Sequence, residues 1–198
     1  SLVQNVGSGE VLSSLLLRGQ HASELAELAA SLGVNIHAFS YRQGLITPCN
    51  SPYTELERSL NGVELTELDF ATLPPEEPIL KVMLVDEPER LAAAIPRLPA
   101  GLYQHYTVVQ STPFFLEFLH PQSNKGSGVA ALAAHLDISR QEIICVGDAG
   151  NDLHMIDYAG LGVAMGNATA EIKASADFIT HSNEEDGVAH VIERFILG

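Results

Sequence analysis

From residue 127 onward, short apolar runs alternate with helical segments, a rhythm that few folds satisfy. Strands are predicted at residues 143–146, 162–165 and 178–180, and helices at residues 127–136, 153–159, 170–176 and 188–196. Short apolar strands joined by helices bury both faces of a sheet, so this stretch predicts an α/β unit with a parallel sheet.

Residues 17–120 follow another pattern. Leu25, Leu28 and Ala29 recur at helical spacing over residues 21–31, with Ser23 as a cap and Gly33 as a stop. A strand over 34–41 pairs with 45–47 across Gln43-Gly44, and a helix is expected at 53–60. Then come a strand at 80–85, a helix at 88–95, and strands at 106–110 and 114–119. This succession predicts a compact α+β unit, with a change of domain near Pro121. Residues 1–16 form a lead-in, and a strand over 11–17 runs from it into the next unit.

The 198 residues suffice for one or two domains, and an apolar fraction of 46% argues against a wholly disordered chain. Acidic side chains outnumber basic ones 25 to 10, giving a formal charge of −15. Such a chain repels phosphate backbones and anionic lipid, so neither nucleic acid nor a membrane is an expected partner. A small phosphorylated ligand stays open, because one lysine or a bound cation reverses the field locally. No run of 18 apolar residues exists to span a membrane. Cys49 and Cys145 lie far apart with no CxxC, a usage that suits the cytoplasm. The first residues, Ser1-Leu2-Val3-Gln4, show neither an initiator Met nor a basic signal region.

Three motifs carry candidate chemistry. Gly147-Asp148-Ala149-Gly150-Asn151-Asp152 follows the strand at 143–146, the end at which parallel sheets bind ligands. Its clustered oxygens suit Mg²⁺, with water and phosphate completing the shell; an Asx turn and helix cap use the same residues. Asn124-Lys125-Gly126-Ser127-Gly128 opens a helix, where free amides attract anions and Lys125 adds charge. Taken alone, an ordinary capped helix with a surface lysine is the plainer reading, but in a chain with 10 basic residues a Lys at this junction carries extra weight. Gly162-Val163-Ala164-Met165-Gly166-Asn167-Ala168 reads as scaffolding, with Asn167 within reach of a phosphate or of Asp148. The histidines are scattered, with no HExxH frame. His37, Tyr41 and Arg42 line a substrate cleft if their hairpin faces the α/β unit; a partly exposed surface histidine is the plainer reading.

In order and spacing, these motifs resemble the haloacid dehalogenase-like superfamily, and more narrowly its Cof-type sugar phosphatases with a large cap. Leu80-Lys81-Val82-Met83, Phe115-Leu116-Glu117 and Glu185-Asp186-Gly187-Val188-Ala189 extend the likeness to essentially the whole chain. It implies a partial Rossmannoid α/β core over residues 121–198, an α+β cap over 17–120, and a lead-in from core to cap over 1–16. In that family a carboxylate bound to Mg²⁺ attacks a phosphate monoester, and water hydrolyses the aspartyl-phosphate. The resemblance implies Lys125 as the phosphate-binding catalytic cation and Asp148 as the metal carboxylate. It implies Asp152 as the group orienting the metal shell or Lys125, and Asn151 as a phosphate or metal ligand. The implied metal set is thus Asp148, Asn151 and Asp152, and the cofactor is Mg²⁺.

The family's nucleophile motif, Asp-x-Asp-Gly-Thr, occurs nowhere in the sequence, nor does its next Ser or Thr phosphate ligand. Ser1-Leu2-Val3 resembles the stretch just after the third core strand. The expectation is therefore a phosphatase of small phosphomonoesters whose complete parent holds roughly 60 to 80 further residues. The chain alone is then expected to be inactive. The competing expectation is a non-catalytic ligand-binding or protein-interaction remnant of a phosphatase. The strand at 143–146 is expected to expose an edge, filled by an amino-terminal segment or by self-association.

Overall fold

The computed structural model describes residues 2–198. They divide into two compact units, Leu15–Ser123 and a second made of Leu2–Ser14 with Asn124–Gly198. The chain opens with an antiparallel hairpin of β1 (Leu2–Gln4) and β2 (Val11–Ser14). The strand expected over 11–17 is interrupted after Ser14, and β3 (Leu17–Arg18) joins a different sheet.

The Leu15–Ser123 unit continues through α1 (Gly19–Leu32), β4 (Asn35–Ser40), β5 (Gly44–Thr47), α2 (Pro52–Asn61), β6 (Leu65–Glu67), β7 (Pro78–Val85), α3 (Pro88–Ala94), α4 (Leu102–His105), β8 (Thr107–Thr112) and β9 (Phe115–Leu119). Its sheet runs β6-β5-β4-β7-β9-β8, with β3 paired to the start of β7. Alternation along β4, β7 and β9 sends Ile36, Ala38, Val82, Leu84, Leu116 and Phe118 into one core with Ala22, Leu25 and Ala29 of α1. Burying each large side chain of this kind stabilises by about 1.5–3 kcal/mol. Gly33 ends α1 at φ 73°, a conformation that a Cβ disfavours. Ser23 does not cap the helix: its hydroxyl donates to the Phe70 carbonyl at 2.6 Å. His21 closes the helix start, its Nδ1 accepting from the Arg18 N–H at 3.0 Å.

The opposite sheet face is also covered. His37, Met83, Val85 and Phe115 lie there, with Tyr53 and Thr54 of α2 packed or bonded against them. His37 is fully buried, between Thr54 Oγ1 at 3.3 Å and Met83 Sδ at 3.2 Å. This corrects the reading of His37 as a cleft or surface residue, since its side chain is 0% exposed beneath α2.

The second unit adds α5 (Lys125–His135), β10 (Ile144–Gly147), α6 (Leu153–Tyr158), β11 (Leu161–Ala164), α7 (Ala170–Ser175), β12 (Phe178–Ile179) and α8 (Gly187–Ile192). The three strands are parallel in the order β10-β11-β12, and the β1–β2 hairpin packs on α5. Ile156, Ala164, Met165 and Ile172 form the core, with Val146 and Leu153 against them. α8 is shorter than expected and passes into a wider turn over Glu193–Leu197, where Phe195, Ile196 and Leu197 are exposed. Among the described residues β10 pairs with β11 alone, leaving its other edge open.

Candidate active site

The register of β10 on β11 matches Gly147 with Ala164, so both strands end at one level. The loops after them meet: the Met165 N–H donates to the Gly147 carbonyl at 2.9 Å, and the Thr169 N–H to the Asp148 carbonyl at 3.0 Å. This is the carboxyl end of a parallel sheet, where backbone ends face outward and ligands bind.

Asp152 organises the loop. It is 4% exposed, and its Oδ2 accepts from the N–H groups of Asp148 at 3.0 Å and Ala149 at 3.2 Å. Its Oδ1 accepts from Lys125 Nζ at 2.5 Å. Burial pushes the Asp152 carboxyl up, but the Lys125 ammonium and the two amides outweigh it and hold it below the usual carboxylate range. Lys125 is the first residue of α5, whose start is closed by Asn124 Oδ1 accepting from the Ser127 N–H at 2.8 Å. α5 approaches α6 closely enough that a Cβ on Gly126 would lie 2.4 Å from the His154 carbonyl oxygen.

Gly147 is a second close approach, because a Cβ there would meet the Asp152 Cβ at 2.4 Å and Oδ2 at 2.9 Å. Gly147→Ala is therefore expected to displace Asp152 and to destabilise by about 1–3 kcal/mol, read as a lower thermal midpoint. An unchanged midpoint would show that the loop yields freely.

Asp148 is exposed, and its Oδ2 accepts from Asn167 Nδ2 at 3.3 Å. Asn167 Oδ1 in turn accepts from the Asn183 N–H at 3.0 Å. Asn151 is exposed, and its side chain has no hydrogen-bond partner among the described residues.

Lys125, Asp148, Asn151 and Asp152 thus come together, but not as the joint metal set expected. Both Asp152 oxygens already accept, one from the Lys125 ammonium and the other from two backbone amides, an arrangement that favours positioning Lys125 over direct metal ligation. No group of three His, Cys, Asp or Glu side chains poised for a metal occurs among the described residues. Mg²⁺ fits Asp148 as a single carboxylate, since this ion keeps several waters and often takes only one or two carboxylates. Cys145 is a buried thiol whose pKa burial pushes up, with no sign of reactivity. Of the suggested substrate-selecting group, Tyr41 and Arg42 are exposed, and Arg42 lies 3.7 Å from the buried carboxylate of Glu77. Asn183 escaped the sequence reading because it acts through its backbone N–H, which carries no side-chain signature.

An α/β Rossmannoid core with a separate α+β cap-like region is a haloacid dehalogenase-like architecture, and comparison with known proteins agrees. The family model for haloacid dehalogenase-like hydrolases matches residues 1–192. The candidate phosphatase YxeH of Bacillus subtilis is 41% identical over 199 residues, covering 100% of this chain and 73% of that protein. Phosphoglycolate phosphatase of Methanothermobacter thermautotrophicus is 30% identical over 144 residues, covering 70% of this chain and 65% of that protein. A haloacid dehalogenase-like hydrolase from Bacteroides thetaiotaomicron superposes with a TM-score of 0.82 at 32% identity, over 98% of this chain and 73% of that one. The chain belongs to the haloacid dehalogenase-like hydrolase family.

Proposed function

We propose that the chain serves a cytoplasmic, Mg²⁺-dependent phosphatase of Cof type, acting on small phosphomonoesters such as sugar phosphates. The observation that carries this reading is Lys125 held by Asp152 beside the exposed Asp148 carboxylate, at the carboxyl end of a parallel strand. Lys125 offers a fixed ammonium to a phosphoryl oxygen. Asp152 holds that ammonium in place, so little reorganisation is needed as charge develops. Asp148 would hold Mg²⁺, and the bound ion supplies further neutralisation of phosphoryl charge. Asn167 keeps the Asp148 carboxylate aimed, and the exposed Asn151 amide would donate to phosphate. Tyr41 and Arg42 remain the exposed candidates for choosing among esters. The family and its phosphatase relatives support this chemistry.

The aspartyl-phosphate route also needs a nucleophilic carboxylate, and Asp148 cannot serve as nucleophile and keep its metal role. With no Asp-x-Asp-Gly-Thr in the 198 residues, the polypeptide by itself is proposed to give no turnover by this route.

Protein expressed from the complete coding sequence tests the reading against a panel of phosphomonoesters, with and without Mg²⁺. Phosphate release that requires Mg²⁺ is expected, falling by about a hundred-fold or more in Lys125→Ala. Metal-independent release, or none on any ester, contradicts it.

A further inference from the structure

We propose that the Leu15–Ser123 unit carries a binding site of its own, for a small carboxylic acid with an apolar body. A cavity of about 630 Å³ lies along α1 and α4, within the range of roughly 300–1,000 Å³ usual for small-molecule sites. Leu17, Leu25 and Leu102 give it an apolar wall, and His21, Tyr106 and His120 add polar atoms.

Local hydrogen bonds fix what those atoms offer. The Arg18 N–H donates to His21 Nδ1 at 3.0 Å, and the Gln122 N–H donates to His120 Nδ1 at 3.2 Å. In each neutral ring the proton therefore sits on Nε2, which becomes a donor. Tyr106 packs edge-on against His21 at 5.9 Å between centroids. Burial, and then the Glu24 carboxylate, push its phenol up to about 12, so it stays an O–H donor. Among the described residues neither Nε2–H nor the Tyr106 hydroxyl donates to an acceptor.

Three donor-bearing side chains in the lining of one cavity, none of them donating within the described protein, favour a ligand whose polar end only accepts. A carboxylate has two oxygens and no donor, whereas an ammonium would set donors against donors. Arg18 lines the cavity with its guanidinium paired to Glu76 at 3.2 Å, and the Glu24 carboxylate on the same wall accepts from Gln20 Nε2 at 2.8 Å, so neither takes up the three donors. Such a ligand contacts both ends of the unit's chain, near Leu17 and near His120, and so should stabilise the unit by mass action.

Titration calorimetry and imidazole NMR on the 198-residue chain test this, using benzoate and hexanoate as probes. Benzamide and benzylamine serve as neutral and cationic controls. At least one acid is expected to bind saturably, about ten-fold tighter than either control, and to shift the Nε2 signals of His21 and His120. Tyr106→Phe keeps the ring and removes the hydroxyl; His120→Leu removes one ring donor. Each is expected to weaken binding about five- to ten-fold, with circular dichroism showing that the variant is folded. No saturable binding of either acid, binding of benzamide as tight as the acids, or unchanged affinity in the folded variants overturns the proposal.

Discussion

Asp152→Asn is expected to leave the protein folded while cutting Mg²⁺-dependent phosphatase turnover about a hundred-fold or more. The substitution conserves volume but gives one carbonyl oxygen where two carboxylate oxygens stood. That oxygen can accept from the amides of residues 148 and 149, and the new NH₂ then faces the Lys125 ammonium. Donor meets donor, and the ammonium swings away from the position that phosphate needs. Asp152→Ala is expected to cost stability as well, about 2–4 kcal/mol, chiefly from two N–H groups left without their acceptor. The ion pair adds less, because the Lys125 side chain is 49% exposed and solvent screens it. Assays on protein from the complete coding sequence, with a urea denaturation curve for each variant, separate the two effects. Near-native turnover in a folded Asp152→Asn protein would show that Lys125 needs no positioning.

The second large effect lies in the pH dependence of stability. Burial, helped by the nearby Lys81 charge, lowers His37 from 6.5 to about 3. The unfolded chain takes up the imidazole proton at about 6.5, while the folded chain refuses it until near pH 3. The unfolded state thus binds more protons throughout that window, and stability falls as pH drops through it. The slope approaches about 1.4 kcal/mol per pH unit, or roughly 3 kcal/mol lost by pH 4. Above pH 6.5 His37 contributes no slope. His37→Leu removes the titration while filling a similar volume. Denaturation curves for wild type and variant at pH 7, 5.5 and 4 are expected to converge or cross toward acid, since carboxylates common to both proteins cancel in the difference. Parallel pH profiles would mean that His37 binds the same number of protons in the folded and the unfolded chain across this range.

His37 also shows where sequence reading stopped. Val34, Ile36 and Ala38 alternate, which places His37 on the other face of β4, and a one-sided sheet would leave that face wet. Here α2 covers it, and alternation along one strand carries no information about a helix packed from elsewhere. The strands and helices of the second unit were legible because each apolar run was short and bounded by Gly, Asp or Asn. β6 and α4 were not, being three and four residues long with no repeat to read. At the candidate site, Lys125 stood out in a chain with 10 basic residues, and Gly147 to Asp152 by its turn residues after an apolar strand. Residue type alone did not reveal that Asp152 faces a lysine and two amides rather than an ion. That division of labour between two carboxylates four residues apart depends on side-chain direction, which spacing does not fix.

In the proposed reading Asp148 holds the metal and Lys125 binds phosphate, in a phosphatase whose Asp-x-Asp-Gly-Thr motif does not occur in these 198 residues. A Mg²⁺ titration of steady-state phosphate release tests it most directly. Wild-type and Asp148→Asn proteins from the complete coding sequence are compared with the mass-verified 198-residue chain. The expected result is saturable Mg²⁺ activation in wild type, and in Asp148→Asn either no activation or a need for at least about ten-fold more ion. The 198-residue chain is expected to release no phosphate over many turnovers. Unaltered Mg²⁺ dependence in Asp148→Asn, or sustained Mg²⁺-dependent turnover by the 198-residue chain, would contradict the account.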